Sequence, residues 1–220
     1  MRTGTVVAIV AATSFFSQSA GAFDYKAARD FSYQNPGGVW SYARRQPITD
    51  GTSNTVLLFE EPLTSDCTPG FDCWWVGNNV LGINTTNRAF NDGNSNTVVI
   101  GENMIQMHAS SEYDTVVRYR APTTGSYRMQ GYFVIMDSNP NSVMTFIQRE
   151  GHKRFIYKNR LAGRGAKRDD NNPKPGKQVP FDVTVDLNAG EYVAFGVNAD
   201  GDWTFGSTGF DVKITPPLPN

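Results

Sequence analysis

A period of two in the apolar residues constrains this chain more than any other feature. Between Thr123 and Met136 the side chains of Tyr127, Met129, Gly131, Phe133 and Ile135 fall on one face of an extended backbone. Arg128, Gln130, Tyr132, Val134 and Met136 fall on the other. That alternation predicts a strand laid over a core. Thr123-Thr124-Gly125 turns the chain in, and Asp137-Ser138-Asn139-Pro140-Asn141 turns it out. The pattern returns at Phe181, Val183, Val185 and Leu187, at Val193, Phe195 and Val197, and at Phe210, Val212 and Ile214. Further short strands are expected at Val39–Tyr42, Thr55–Phe59, Thr97–Ile100, Met104–His108, Tyr113–Arg120, Val143–Ile147 and Arg154–Tyr157. Gly151-His152 reads as a hairpin turn between the last two.

Many short strands with turns between them predict an all-β fold: two antiparallel sheets packed face to face, of jelly-roll type. The 21 Gly and 12 Pro favour turns over long helices, and a hydrophobic fraction of 39% suffices for a core. One domain over 23–216 is expected, with residues 217–220 as a proline-rich tail. Asn78–Asn96 reads as polar surface loop with a short apolar interruption at Val80–Ile83, and Asn84-Thr85-Thr86 is a glycosylation acceptor pattern. Lys26–Phe31 has room for one helical turn. Residues 158–178 carry Lys158, Arg160, Arg164, Lys167, Arg168, Lys174 and Lys177 between prolines, and read as a long, exposed, mobile basic loop. A local anion-binding patch is the functional reading of that loop.

The first 22 residues read as a cleaved signal peptide: Arg2, an apolar run Val6–Phe16 too short to span a bilayer, and Ser19-Ala20-Gly21-Ala22. A secreted or periplasmic protein follows. In that oxidising setting Cys67 and Cys73, with Pro69-Gly70 between them, read as one disulfide. A zinc site needs about four N or S ligands, and His108 and His152 sit in no ligand spacing with the cysteines. A net charge of -1 gives no global field for nucleic acid.

Candidate chemistry rests on aromatic and acidic residues in loops. A sugar ring presents an apolar face that stacks on an indole, while its hydroxyls need fixed partners. Trp74 and Trp75 follow the cystine loop, and Trp203 lies in a polar loop beside Asp202; these four are the candidate ligand-binding residues. Trp40 and one of Trp74 or Trp75 are expected in the core. Asp200-Gly201-Asp202 offers hard oxygen ligands for calcium. No G-x-S-x-G elbow, H-E-x-x-H helix or phosphate loop is present. An enzyme, such as a polysaccharide lyase or hydrolase, would need distant acids such as Glu102, Glu112 and Glu150 to meet in space.

Asp30-Phe31-Ser32 and Asn35-Pro36-Gly37-Gly38-Val39-Trp40-Ser41-Tyr42 resemble the opening of secreted bacterial jelly-roll domains of carbohydrate-binding-module type. Val116-Val117-Arg118-Tyr119 with Ala121-Pro122, Gly125 and Tyr127 is similar to that family's central segment. Pro180–Leu187, Ala189-Gly190-Glu191 and Ser207-Thr208-Gly209 are similar to its close, with Gly206 where the close carries Asp. The resemblance implies a non-catalytic module that binds a glycan or cell-surface polysaccharide. The segment around Ala121-Pro122 also resembles C1q/TNF-like jelly rolls, which implies a self-associating, often trimeric, protein-binding alternative.

Overall fold

A computed structural model describes residues 24–47, 55–60 and 64–217. The expected signal peptide and the end of the tail lie outside the described residues. Among these residues sixteen strands follow in order: β1 (Tyr25–Lys26), β2 (Trp40–Arg45), β3 (Val56–Leu58), β4 (Thr64–Thr68), β5 (Phe71–Val76), β6 (Asn79–Asn84), β7 (Phe90–Asn91) and β8 (Val99–Ile100). Then come β9 (Ile105–His108), β10 (Asp114–Arg120), β11 (Gly125–Ile135), β12 (Val143–Arg149), β13 (Phe155–Leu161), β14 (Gln178–Leu187), β15 (Tyr192–Asn198) and β16 (Thr208–Thr215). No helix among the described residues is long and apolar enough to cross a membrane.

The expected antiparallel sandwich is present. One sheet has the order β14-β11-β16-β9-β6-β5-β4, with β1 also paired to β16, and the other the order β13-β12-β15-β10-β2-β3. From β9 onward each connection crosses from one sheet to the other, except β12 to β13. The two inner faces share one apolar core. Tyr127, Met129, Phe133 and Ile135 of β11 enter it as their alternation requires, and so do Phe210, Val212 and Ile214 of β16. Aromatic rings fill its centre: Phe133 lies 5.2 Å from Phe210, and Phe195 lies 5.3 Å from Phe210. A second aromatic group holds the other end, where Trp74 stacks on Tyr42 and Phe59.

Asn35, before a cis proline, pins the start of the sandwich. Its amide donates to the carbonyls of Tyr42 and Phe59 and accepts from the Tyr42 N–H. On the outer face of the six-stranded sheet, Arg45 and Asp114 form an ion pair at 2.9 Å, with side chains only 2% and 3% exposed. Gln148 and Asn198 complete that network, and the Arg45 guanidinium lies over the Phe146 ring. Burial pushes the Asp114 carboxyl up even against Arg45.

Three expectations change. The stretch read as an apolar interruption in a loop is β6, paired on both sides by β5 and β9. Its polar ends are satisfied inside the fold: the Asn79 amide donates to the Tyr113 carbonyl and the Thr115 hydroxyl. The Asn84 amide donates to the carbonyls of Arg88 and Gly101 and is buried, so the acceptor pattern presents no free amide for a glycan. The third change concerns the basic segment. Residues 158–161 belong to β13, and most of the remainder is tied down. Ala166 N–H donates to the Asp137 carbonyl, Gly176 N–H to that of Ile135, and Lys167 and Lys174 exchange backbone bonds. Arg160 pairs with Asp200, Lys167 with Asp169, and Lys158 lies over Phe155. Backbone bonding, which composition does not reveal, fixes a segment that charge alone makes look free.

Candidate binding cleft

A cleft of about 350 Å³ opens on the outer face of the larger sheet. Its floor follows from strand register. Trp75 pairs with Val80, Val80 with His108, and Thr208 with Met107, which brings Ser207 beside His108. One row therefore runs across four strands from Trp75 to Ser207, about 14 Å at ordinary strand spacing. These side chains face outward because their neighbours Trp74, Leu81 and Met107 face the core. Gln106, two residues before His108, faces the same way and lines the cleft.

Trp75 stands at the end of the β5–β6 hairpin and is 59% exposed. Its Nε1–H donates to the Gly77 carbonyl at 2.5 Å, which fixes the ring across a turn where Gly77 has a φ of 60°. Trp74 is the opposite case. It is 2% exposed and packed among Phe31, Tyr42 and Phe59, so it has no free face to offer a ligand, and its place on the candidate list is corrected. Adjacent strand residues face opposite ways, so only one of the pair can be a platform.

The β15–β16 loop supplies Trp203, Thr204 and Phe205. Trp203 and Phe205 are 36% and 41% exposed. Phe205 has a φ of 55°, an uncommon conformation for a bulky side chain. Asn141 stabilises the loop by donating to the Asp202 carboxylate and the Thr204 carbonyl. The Trp203 ring stands edge-on to His108 at 6.1 Å.

Residues 92–98 form the third wall. Arg168 holds them from behind, donating to the carbonyls of Ser95 and Val98 at 2.9 and 2.7 Å. Thr97 donates to Asp137, and the Asn94 amide donates to the Cys67 carbonyl. Cys67 and Cys73 form the expected disulfide, with Cα atoms 6.2 Å apart, and anchor that side of the cleft.

The polar groups of the cleft are perturbed by burial. Burial pulls the His108 imidazole down to about 4, so it is neutral at physiological pH. Asp137 is buried; despite bonds from Thr97 and the Ser207 N–H its carboxyl is pushed up, and burial also pushes Asp92 up. Gln106 is 6% exposed, and its Oε1 has no hydrogen-bond partner among the described residues. Among the described residues no Lys or Arg lines the cleft.

Asp202 lies next to the cleft rather than in its lining, and hydrogen bonds from the Thr204 hydroxyl and N–H hold its carboxyl below the usual range. Asp200 is paired with Arg160 at 2.8 Å. A calcium ion would have to displace that guanidinium, so the pair does not fit the expected metal. Among the described residues no group of three or more His, Cys, Asp or Glu could hold one. Glu102, Glu112 and Glu150 are outside the cleft, and Glu150 is bound to Arg118. Sequence reasoning missed Gln106 and His108. Their outward position follows from inward Ile105 and Met107, but a polar outward pair reads as ordinary solvent face.

No protein-family model matches the chain, and no curated protein matches it. Solved structures give partial likenesses. The K2 cleaved adhesin domain of Lys-gingipain is 16% identical over 90% of this chain and 100% of its own, with a TM-score of 0.42. The K3 cleaved adhesin domain of Lys-gingipain from Porphyromonas gingivalis w83 is 17% identical over 52% of this chain and 77% of its own, with a TM-score of 0.37. A CBM4 structure is 10% identical over 78% of this chain and 100% of its own, with a TM-score of 0.30. With every TM-score below 0.5, what the chain binds has to be read from the cleft itself.

Proposed function

We propose that this is a secreted, non-catalytic binding module of jelly-roll type whose outer-face cleft takes a glycan. The observation that carries the reading is the pair of exposed indoles, Trp75 from the end of β5 and Trp203 from the β15–β16 loop, brought to one cleft whose largely apolar lining also carries Gln106, His108 and Ser207. Indole faces stack on the apolar side of a sugar ring, and fixed amides and hydroxyls answer its hydroxyls. The crossing of nearly every connection from β9 to β16 supports the jelly-roll part of the proposal. The disulfide and the leader-like first 22 residues support secretion.

Catalysis is the less favoured alternative. His108 Nδ1 and Ser207 Oγ are 3.2 Å apart, the spacing of a base and nucleophile. Yet an imidazole pulled down to about 4 is a weak base at neutral pH, and Asp137 binds the Ser207 N–H rather than orienting His108.

A glycan array on the full chain, read with and without calcium, tests the proposal. Binding to defined saccharides, lost when Trp75 and Trp203 are both replaced by Ala, is the expected result. An array without signal, joined to a stable trimer in light scattering, would refute it and favour the self-associating alternative.

A further inference from the structure

Within the cleft, Gln106 has an unanswered acceptor. It projects outward from β9 because Ile105 and Met107 on either side are in the core. Its strand partners at that level are Gly82 and Gly209, which have no side chain to donate to it. Three donors of the cleft are engaged elsewhere: the Asn94 amide on the Cys67 carbonyl, the Thr97 hydroxyl on Asp137, and His108 Nδ1 with Ser207. A buried amide oxygen without a donor is costly, and a cleft built around one favours a ligand that supplies a hydroxyl.

The charge around it is one-sided. Two acids, Asp92 and Asp137, line the cleft, and among the described residues no Lys or Arg does. Arg168, behind the wall, has its guanidinium on the backbone carbonyls of Ser95 and Val98. A uronate or sulfate brought here would be desolvated with no counter-charge. Burial of His108 as a neutral ring removes the remaining source of positive charge at neutral pH.

We infer that the cleft rejects anionic saccharides and that Gln106 Oε1 accepts a hydrogen bond from a hydroxyl of the saccharide it takes. This rests on the glycan-binding proposal above. Gln106 is then the specificity-determining residue, and the indoles supply stacking that any sugar ring could use.

The experiment is a tryptophan-fluorescence titration of the full chain with three sets of oligosaccharides of equal length: neutral hexose oligomers, the corresponding uronate oligomers, and glucosamine oligomers. Neutral oligomers are expected to bind at least tenfold more tightly than uronates at low salt. Gln106→Met, which keeps length and removes the acceptor, is expected to weaken neutral binding about tenfold with melting temperature retained. Uronates binding as well as neutral or glucosamine oligomers would overturn the charge selection while leaving glycan binding intact. Unchanged affinity in a folded Gln106→Met chain would overturn the role of Gln106. No binding to any of the three sets would overturn both this inference and the proposal beneath it. The wild-type comparison decides the charge question even if the variant does not fold.

Discussion

Replacing Trp75 with Ala separates recognition from folding. The side chain is 59% exposed, and an indole presents roughly 250 Å², so about 150 Å² is open to a ligand. A sugar ring covering one face would remove about 70 Å² from water. At about 25 cal/mol per Å² that is about 1.8 kcal/mol, or about a 20-fold rise in Kd. The cost to the fold is smaller: the hydrogen bond from Nε1 to the Gly77 carbonyl is lost, about 1 kcal/mol. Isothermal titration with an array-positive saccharide, paired with a melting curve, measures both. The contrast is Trp74→Ala, where a buried indole among Tyr42 and Phe59 is removed and stability should fall by about 3–5 kcal/mol. A Trp75→Ala protein that melts normally and binds with unchanged Kd would refute the stacking account.

Three more outcomes are expected. The His108 pKa is lower folded than unfolded, so its share of stability is present above about pH 6.5 and is lost as pH falls towards 4. That share is on the order of 3 kcal/mol; the raised carboxyls of Asp92 and Asp137 act with the opposite sign, so the test is the difference in denaturant midpoints between wild type and His108→Gln across that window. A difference that does not vary with pH would dismiss the buried neutral ring. Asp114→Ala strands the Arg45 charge beneath the outer face and should cost about 3–5 kcal/mol in urea unfolding; a loss under 1 kcal/mol would show the pair to be solvated. EDTA should leave the melting temperature unchanged, since Arg160 and Thr204 already occupy the carboxylates of Asp200 and Asp202; a rise of several degrees with added calcium would contradict this.

The sheets were legible because alternation is a local property. Tyr127 to Ile135 and Phe210 to Ile214 declare their faces without knowledge of any partner strand. Trp74-Trp75 declared that one indole faces out but not which, since that depends on which side of β5 the other sheet lies. β6 was hidden because Asn79 and Asn84 look like loop residues until their amides are seen to satisfy distant backbone groups. The cleft was only half legible. Loop position flagged Trp75 and Trp203, but the row from Trp75 through Val80 and His108 to Ser207 joins residues far apart in the chain, and only strand pairing aligns them. The basic segment was misjudged for the same reason: Arg168 reads as a solvated cation until its carbonyl partners are known.

That transverse row ties recognition to the way neighbouring strands are aligned. Sliding β9 by one position against β6 would turn His108 and Gln106 inward and push Ile105 and Met107 into the open. A slipped chain would lose its hydrophobic interior and its ligand contacts together, so a misaligned form that persisted yet still bound is ruled out by geometry. New preferences would therefore arise by exchanging side chains at fixed stations along the row, with the backbone left alone.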